Sequence, residues 1–462
     1  MDSDGALPES VSVSALDAPS PDAAGLFAAT VTGLPADLWG MGLESEIIGK
    51  IAEGGSEPLP ALQGVLMMLL LAEASPPSDS SRSGKLLMAR ADKLLDIGAL
   101  DQAEALINAS GIMNAELFRR AFDIALLTGH EDQGCEKMQA VPNLAPTFQA
   151  RIFCLARSGD WNAAALTLRT AQALGQITEE EDRLLSRFLD PDLFEGEADL
   201  PVPSRITPLN WRLFEAIGEP FPTHSLPVAF SHAELMETAG WKSQIEAAER
   251  LARVGAIPPN RLLGLYSERS PAASGGVWDR VDAIQQLEAA LASGKSEDIS
   301  RHLKSAWEAM SDAELEVPFA LLFSDSLAKV VLTGEADRIA FEIGLLSGKY
   351  ESVAKGRNAA EPQEKFLIAI ATGNLIDAVP QDSLQRAIAP AFLSESLGPE
   401  YQELLDQRRL GEGILLAIQQ IAKGLQGQLE LVTSGLTFLR HVGMEDAARR
   451  TALQLVLLER RG

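Results

Sequence analysis

Ser158-Gly159-Asp160-Trp161-Asn162-Ala163-Ala164 is the stretch whose reading decides the fold. Glycine tolerates the left-handed backbone in which a helix commonly ends, so Gly159 marks a helix terminus. Trp161, two positions on, is expected to plug the gap between that helix and the next. Ala164, five positions on, is small enough to let the two helices approach closely. The same frame recurs in Ile97-Gly98-Ala99-Leu100-Asp101-Gln102-Ala103, in Gly373 with Ala378 and in Gly443 with Ala448. Gly348 carries Tyr350 at the plug position and Val353 at the small one, and Gly129 carries Gly134. Gly98, Gly129 and Gly159 follow one another at intervals of 31 and 30 residues. That spacing is close to the ~34-residue period of helix-turn-helix repeats.

The 158–164 stretch resembles the turn and second helix of a tetratricopeptide repeat. The resemblance covers that half of the unit, and the Trp, Leu, Gly and Tyr signature of the first helix has no counterpart here. Spacing also becomes irregular after residue 175. The expected fold is therefore all-α: an α-solenoid of antiparallel helix pairs, degenerate and tetratricopeptide-like, with a Pro-rich non-helical crossover in the middle. Composition agrees, since Ala and Leu abound while aromatic residues make up only 5%, a balance that favours helix over sheet.

Four segments are predicted. Residues 1–36, with Pro8, Pro19, Pro21 and Pro35, form an extended or flexible Pro/Ser/Asp-rich leader, parts of which, around 11–16 and Leu26, could lie against the body. Residues 37–190 form an N-terminal helical-repeat domain, with core stripes at Leu87, Ala91, Leu94 and Leu95 and at Trp161, Ala164, Ala165, Leu168 and Ala171. Residues 191–230 are the crossover. Pro191, Pro201, Pro203, Pro208, Pro220, Pro222 and Pro227 leave room for one short helix at about 209–217. Residues 231–462 form a C-terminal helical-repeat domain with Ser231 as an N-cap and helices at 241–254, 277–293 and 297–310. Gly344 and Gly356 stand where close packing or a helix end is needed.

The two cysteines, Cys135 and Cys154, lack metal-ligand spacing. Two readings stay open: a pair of buried free thiols, or a disulfide. The turn between their helices falls near 142–146, about nine residues after Cys135 and about ten before Cys154. An antiparallel hairpin sets them at similar heights, which makes a disulfide sterically accessible.

A net charge of −26 opposes nucleic-acid binding, whose affinity comes largely from Lys and Arg displacing counterions. The longest apolar run, 65–72, is far short of the ~20 residues that span a bilayer. The first basic residue is Lys50, so the N-terminus has no basic-then-apolar secretory signal. The Asp2-Ser3-Asp4-Gly5 start behind Met1 reads as a trimmed terminus. The expected location is periplasmic if an upstream export signal was removed, and otherwise cytoplasmic.

Motifs for chemistry are missing. His130, His224, His232, His302 and His441 form no zinc pattern. His224 and His232 straddle the crossover and read as surface or capping residues, with a metal pair as the alternative. There is no dinucleotide fingerprint, phosphate loop or nucleophile elbow. Thr178 followed by Glu179-Glu180-Glu181-Asp182 reads as an N-cap with acids in the first helical turn. Soluble lytic transglycosylases join a helical superhelix to a catalytic domain, but Glu395-Ser396 lacks the Gly-Leu-Met-Gln-type segment that follows their catalytic glutamate. No catalytic residue, cofactor or metal is expected.

The stretches Ser10-Val11-Ser12-Val13-Ser14-Ala15-Leu16-Asp17-Ala18-Pro19-Ser20-Pro21-Asp22-Ala23-Ala24-Gly25-Leu26, Val31-Thr32-Gly33-Leu34-Pro35-Ala36-Asp37-Leu38-Trp39-Gly40 and Gly276-Val277-Trp278-Asp279-Arg280-Val281 resemble an uncharacterised family of exported alphaproteobacterial proteins. Its members are sometimes labelled antifreeze polyproteins. The resemblance implies a periplasmic location and supplies no activity and no catalytic residue. The expected function is a non-catalytic protein-binding scaffold or adaptor of the cell envelope, whose partners are proteins or peptides. The alternative is a cell-wall-associated enzyme or accessory built on a helical superhelix.

Overall fold

Gly98, Gly159, Gly373 and Gly443 have φ of 76°, 83°, 73° and 84°, the left-handed values that glycine adopts without a Cβ clash. After three of them a new helix starts at once, and Ala103, Ala164 and Ala448 are fully buried between the paired helices. The pairs are Lys85–Asp96 with Leu100–Ala109, Phe148–Arg157 with Trp161–Ala173, and Leu429–His441 with Glu445–Leu457. The computed structural model describes residues 20–53, 59–271, 273–359, 361–394 and 396–458. Among the described residues the regular structure is helical, with 24 α-helices, short 3-10 segments and no strand. A lone bridge joins Phe27 to Ala72. The protein is all-α and solenoid-like, with helices packed chiefly on their neighbours in sequence.

Three details of the repeat frame are corrected. Gly348 is not left-handed. The Ser347 side chain closes that turn instead, its Oγ donating to Gly344 O at 2.7 Å and accepting from Lys349 N at 3.1 Å. Behind Gly373 no helix forms until Ser383–Leu393, so Ala378 lies in a loop. A helix started there would run into Pro380, which lacks an N–H and clashes with the preceding turn. Trp161 is 50% exposed and plugs nothing. Phe188 of the next helix fills the space, stacking on Phe153 at 5.8 Å, with Trp161 leaning on it from outside at 6.3 Å. Gly344 does serve close packing, because a Cβ there would stand 2.8 Å from Val353 Cγ1.

The boundary between domains is also corrected. One continuous core runs from Leu34 to Leu458 and holds residues from both predicted helical domains. A second, smaller core gathers Phe118, Phe122, Phe153, Leu185, Leu213 and Phe214 around the cysteines. The Ala115–Thr128 helix serves both, with Leu117, Ile124 and Leu127 facing the main core and Phe118, Phe122 and Leu126 facing the lobe. The Pro-rich segment does not separate two bodies. It contains the short helix Pro208–Ala216, whose proline sits at the first position, where a missing N–H costs nothing. It then leads into a 3-10 helix, Val228–Leu235, that docks on the Gly98 turn. Ser231 lies inside this element, and its Oγ accepts from Arg250 Nη1 at 3.3 Å, so it is no α-helix N-cap. The following α-helix is Trp241–Arg253. A Cβ on Gly98 would meet Leu251 Cδ2 at 3.2 Å and Val228 Cγ1 at 3.3 Å.

The described part of the leader, from residue 20, is fixed to the body; residues 1–19 lie outside the described residues. Asp22 is buried, and its carboxylate accepts from Leu87 N at 3.0 Å and Ser80 Oγ at 2.9 Å. Asp22 thereby caps the Lys85–Asp96 helix, whose own N-cap, Gly84, has no side chain to do so.

The ends of the described chain meet. The Pro60–Leu71 helix packs on Glu445–Leu457, and Glu44–Glu53 packs on Leu410–Leu425. Ala61 N donates to Gln454 Oε1 at 2.8 Å, Gln419 Nε2 to Lys50 O at 3.0 Å, and Gly411 N to Leu38 O at 2.9 Å. An open helical array needs polar caps over its terminal apolar faces. Here each end covers the other, and the array closes on itself.

Candidate functional site

Pro60–Leu71 is apolar throughout except at Gln63, and Gly64 interrupts it in mid-helix. Gln63 is 4% exposed, and neither its Oε1 nor its Nε2 has a hydrogen-bond partner. Gln102, on the Leu100–Ala109 helix, also buries its Oε1 without a partner. Both residues line a cavity of about 420 Å³ that reaches across to the 252–259 turn and the Glu316–Leu327 helix. Its walls include Pro60, Met67, Ile257, Pro258, Pro259, Val317, Pro318 and Leu321. The volume falls within the ~300–1,000 Å³ usual for ligand sites.

The walls of this cavity are mostly apolar. Its one charged lining residue is Arg253. That guanidinium donates to Ala313 O from Nε and Nη2 at 3.0 and 2.8 Å and lies 3.9 Å from Glu314. Leaving a buried amide unpaired costs about 1–3 kcal/mol per group. Gly in a helix costs about 1 kcal/mol relative to Ala, yet a Cβ on Gly64 would meet nothing within 4 Å. Gly64 thus leaves open backbone beside the cavity, while the unpaired amide atoms of Gln63 and Gln102 are buried away from it.

A second cavity, about 510 Å³, has the opposite character. Glu308, Asp312, Glu314, Glu316 and Glu342 line it together with Trp307. Burial holds the Glu342 carboxyl above the usual carboxylate range, against the pull of Arg338, which donates to it at 2.9 Å. A third cavity, about 180 Å³, lies between the crossover and the start of Glu179–Leu189. Thr178 there forms the expected N-cap, in a reciprocal capping box with Glu181.

The repeat-turn residues are distributed around the body and are not brought together. Gly98, Ala103, Gly159, Ala164, Gly443 and Ala448 sit in helix junctions, and Tyr350 is buried with its hydroxyl donating to Asp446 at 2.8 Å. Cys135 and Cys154 are joined by a disulfide with Cα atoms 5.1 Å apart. The hairpin Glu131–Ala140 and Phe148–Arg157 sets them at matching heights. His232 is buried, so it is not a surface residue. Its Nε2 donates to Gly98 O at 2.7 Å, and burial pushes its pKa down. Among the described residues no cluster of His, Cys, Asp or Glu is suited to a metal ion, and no helix is long and apolar enough to cross a membrane. Glu395 lies outside the described residues. Sequence reasoning missed Gln63, Gly64 and Gln102. The available signal was a polar residue and a helix-weakening one set side by side in an otherwise apolar run. The chain matches no protein-family model, no curated protein and no solved structure.

Two stability tests arise from this geometry. The disulfide closes a loop between positions 19 residues apart, and such a link stabilises by about 3 kcal/mol through the unfolded state. The Cys135→Ser, Cys154→Ser double variant is expected to lose about that much in urea unfolding, with the loss centred on the lobe. An unchanged midpoint contradicts this. On the Ala115–Thr128 helix, burial raises Asp123 to about 6 from 3.8, opposed by Arg119 and Arg120. The folded state therefore keeps a proton that the unfolded chain has lost. This contribution is complete below about pH 4 and drains away as pH rises through about 6. Asp123→Asn is expected to flatten the stability–pH curve across that window by about 3 kcal/mol; parallel curves for the two proteins rule out the assignment.

Proposed function

We propose that this chain is a non-catalytic protein-binding scaffold of the bacterial cell envelope. The observation that carries the reading is the mostly apolar cavity between the Pro60–Leu71 helix, the 252–259 turn and the Glu316–Leu327 helix. An apolar pocket with a few convergent polar groups is the usual form of a binding site. Nothing in that cavity supplies a general acid, a nucleophile or a metal ligand. The periplasmic location is supported by the Cys135–Cys154 disulfide, since such bonds persist in oxidising compartments, and by the resemblance to exported alphaproteobacterial proteins. The test is in-cell crosslinking of the full-length protein, followed by mass spectrometry of what co-purifies. A reproducible envelope partner is expected; none across growth conditions contradicts the scaffold reading.

One observation favours the alternative, a cell-wall-associated enzyme. In the acidic cavity, burial raises the Glu342 pKa against the pull of Arg338, and further carboxylates surround it, as a general acid paired with a second carboxylate would require. Cleavage of cell-wall glycan strands by the wild-type chain, abolished by Glu342→Gln, supports this reading. Intact strands after prolonged incubation with the wild type eliminate it.

A further inference from the structure

We propose that the cavity between the Glu179–Leu189 helix and the crossover binds the zwitterion of an apolar α-amino acid. Arg183 and Arg205 take its carboxylate, Glu180 its ammonium, and the apolar wall its side chain. This goes beyond the scaffold reading and does not rest on it. Arg183 stands on the Glu179–Leu189 helix and Arg205 just ahead of Pro208–Ala216, so two separate elements bring cations to one cavity. Both residues are exposed. Arg205 has no ion pair or hydrogen bond among the described residues, and Arg183 has only a long one, from Nε to Glu179 O at 3.4 Å. Asp96 and Asp123 lie within electrostatic reach of Arg205 without bonding to it, and burial raises both carboxyls. In a chain with 65 acids against 39 Lys and Arg, two cations at one cavity thus leave their guanidinium forks unused. That fork geometry matches a carboxylate.

The two acids of the cavity differ. Glu181 is spent in the capping box, where it accepts from Thr178 N at 2.8 Å and from Thr178 Oγ1 at 3.0 Å. Glu180 is exposed and makes no ion pair or hydrogen bond among the described residues, so its carboxylate is open to an ammonium. A ligand of one sign would meet either the arginines or Glu180 and be opposed by the other; a zwitterion meets both. Asn210 Oδ1 accepts from Gln149 Nε2 at 2.8 Å, which leaves the Asn210 amide N–H groups to donate. Leu200, Pro201, Pro203 and Phe214 supply the apolar wall. The volume, about 180 Å³, is little more than the ~150 Å³ that accepts benzene. It suits one branched side chain with its α-carbon and is too small for a longer peptide.

The test is calorimetric titration of the full chain with L-leucine. Comparison ligands are leucinamide, which lacks the carboxylate, 4-methylpentanoate, which lacks the ammonium, and N-acetylleucine. Leucine is expected to bind, and each comparison ligand to bind roughly tenfold more weakly or worse, because a hydrogen bond to a charged group is lost. These comparisons need no variant. Arg183→Gln and Arg205→Gln are each expected to weaken leucine binding roughly tenfold, and Glu180→Gln to weaken leucine binding while leaving that of 4-methylpentanoate unchanged. All three side chains are exposed, so the Tm of the free protein should hold. No binding at millimolar leucine overturns the inference, as does binding that survives the Arg183→Gln, Arg205→Gln double variant. Leucinamide or 4-methylpentanoate binding as tightly as leucine overturns it too. N-acetylleucine binding as tightly as leucine also overturns it, and assigns the cavity to the C-terminal residue of a peptide. The scaffold reading is judged separately, by the crosslinked partner, and stands or falls whatever leucine does.

Discussion

Glu412→Ala is expected to cost about 3–5 kcal/mol and to loosen the closure of the chain on itself. Glu412 is completely buried at the seam. It accepts from Arg409 Nε at 2.6 Å and Nη2 at 2.7 Å, and Lys50 approaches it to 3.6 Å from the other end of the chain. Arg409 Nη2 also reaches Glu46 at 2.5 Å. Removing the carboxylate leaves Arg409 and Lys50 facing each other with their shared counterion gone. The stability of a buried ion pair is modest when it is intact, but breaking it from one side exposes the full desolvation penalty of what remains. The space is unforgiving as well. A Cβ on Gly42 would stand 2.3 Å from Glu412 Oε1, and one on Gly411 2.6 Å from the Trp39 ring. Urea unfolding gives the magnitude. Hydrogen exchange gives the place: Gly411 and Met41, whose amides bond across the seam to Leu38 O and Gln407 O, are expected to lose protection first. Protection unchanged at both, with normal stability, removes Glu412 as the lock of the closure.

Arg90→Met is expected to cost about as much and to release the described leader from the body. The guanidinium is buried and donates to Leu70 O and Ala24 O at 2.7 Å each, and to Ala72 O at 2.9 Å. It ties the end of Pro60–Leu71 to the leader just before the Phe27–Ala72 bridge. Burial lowers its pKa to about 10 while Asp22 pulls it back up, so it remains a cation at neutral pH. Methionine keeps much of the volume and none of the donors. Several buried carbonyls then lose their partner, at about 1–3 kcal/mol each before relaxation. Asp22 also loses a stabilising charge, and with it the cap on Lys85–Asp96 weakens. Proteolysis between residues 20 and 36 should accelerate sharply. Resistance equal to wild type shows that the leader is held by something other than Arg90.

The helical class and the positions of several helices were legible because they rest on local chemistry. The 277–293 helix is observed as Val277–Ser293, and 241–254 as Trp241–Arg253. Thr178 caps as its type and neighbours dictate. What failed was set by distant residues. The proline density at 191–230 reads as a separation, yet prolines also build short, rigid elements that dock, as Val228–Leu235 does on Gly98. The Asp22 anchor of the leader is not legible because its contacts lie some 65 positions away. Closure is invisible for the same reason, since Ala61 and Gln454 are 393 residues apart. Gln63 reads as an ordinary polar residue on an apolar helix until its helix is seen covered by Glu445–Leu457.

The most direct measurement is site-specific photo-crosslinking in cells, with the photoreactive residue placed at Leu321 on the cavity rim. Val331, 83% exposed and outside that cavity, serves as the control position. The expected result is a discrete protein adduct from position 321 and not from 331, lost on adding Gly64→Phe. Adducts equal at both positions, or none at 321, contradict a protein-binding role for the cavity between Pro60–Leu71 and Glu316–Leu327.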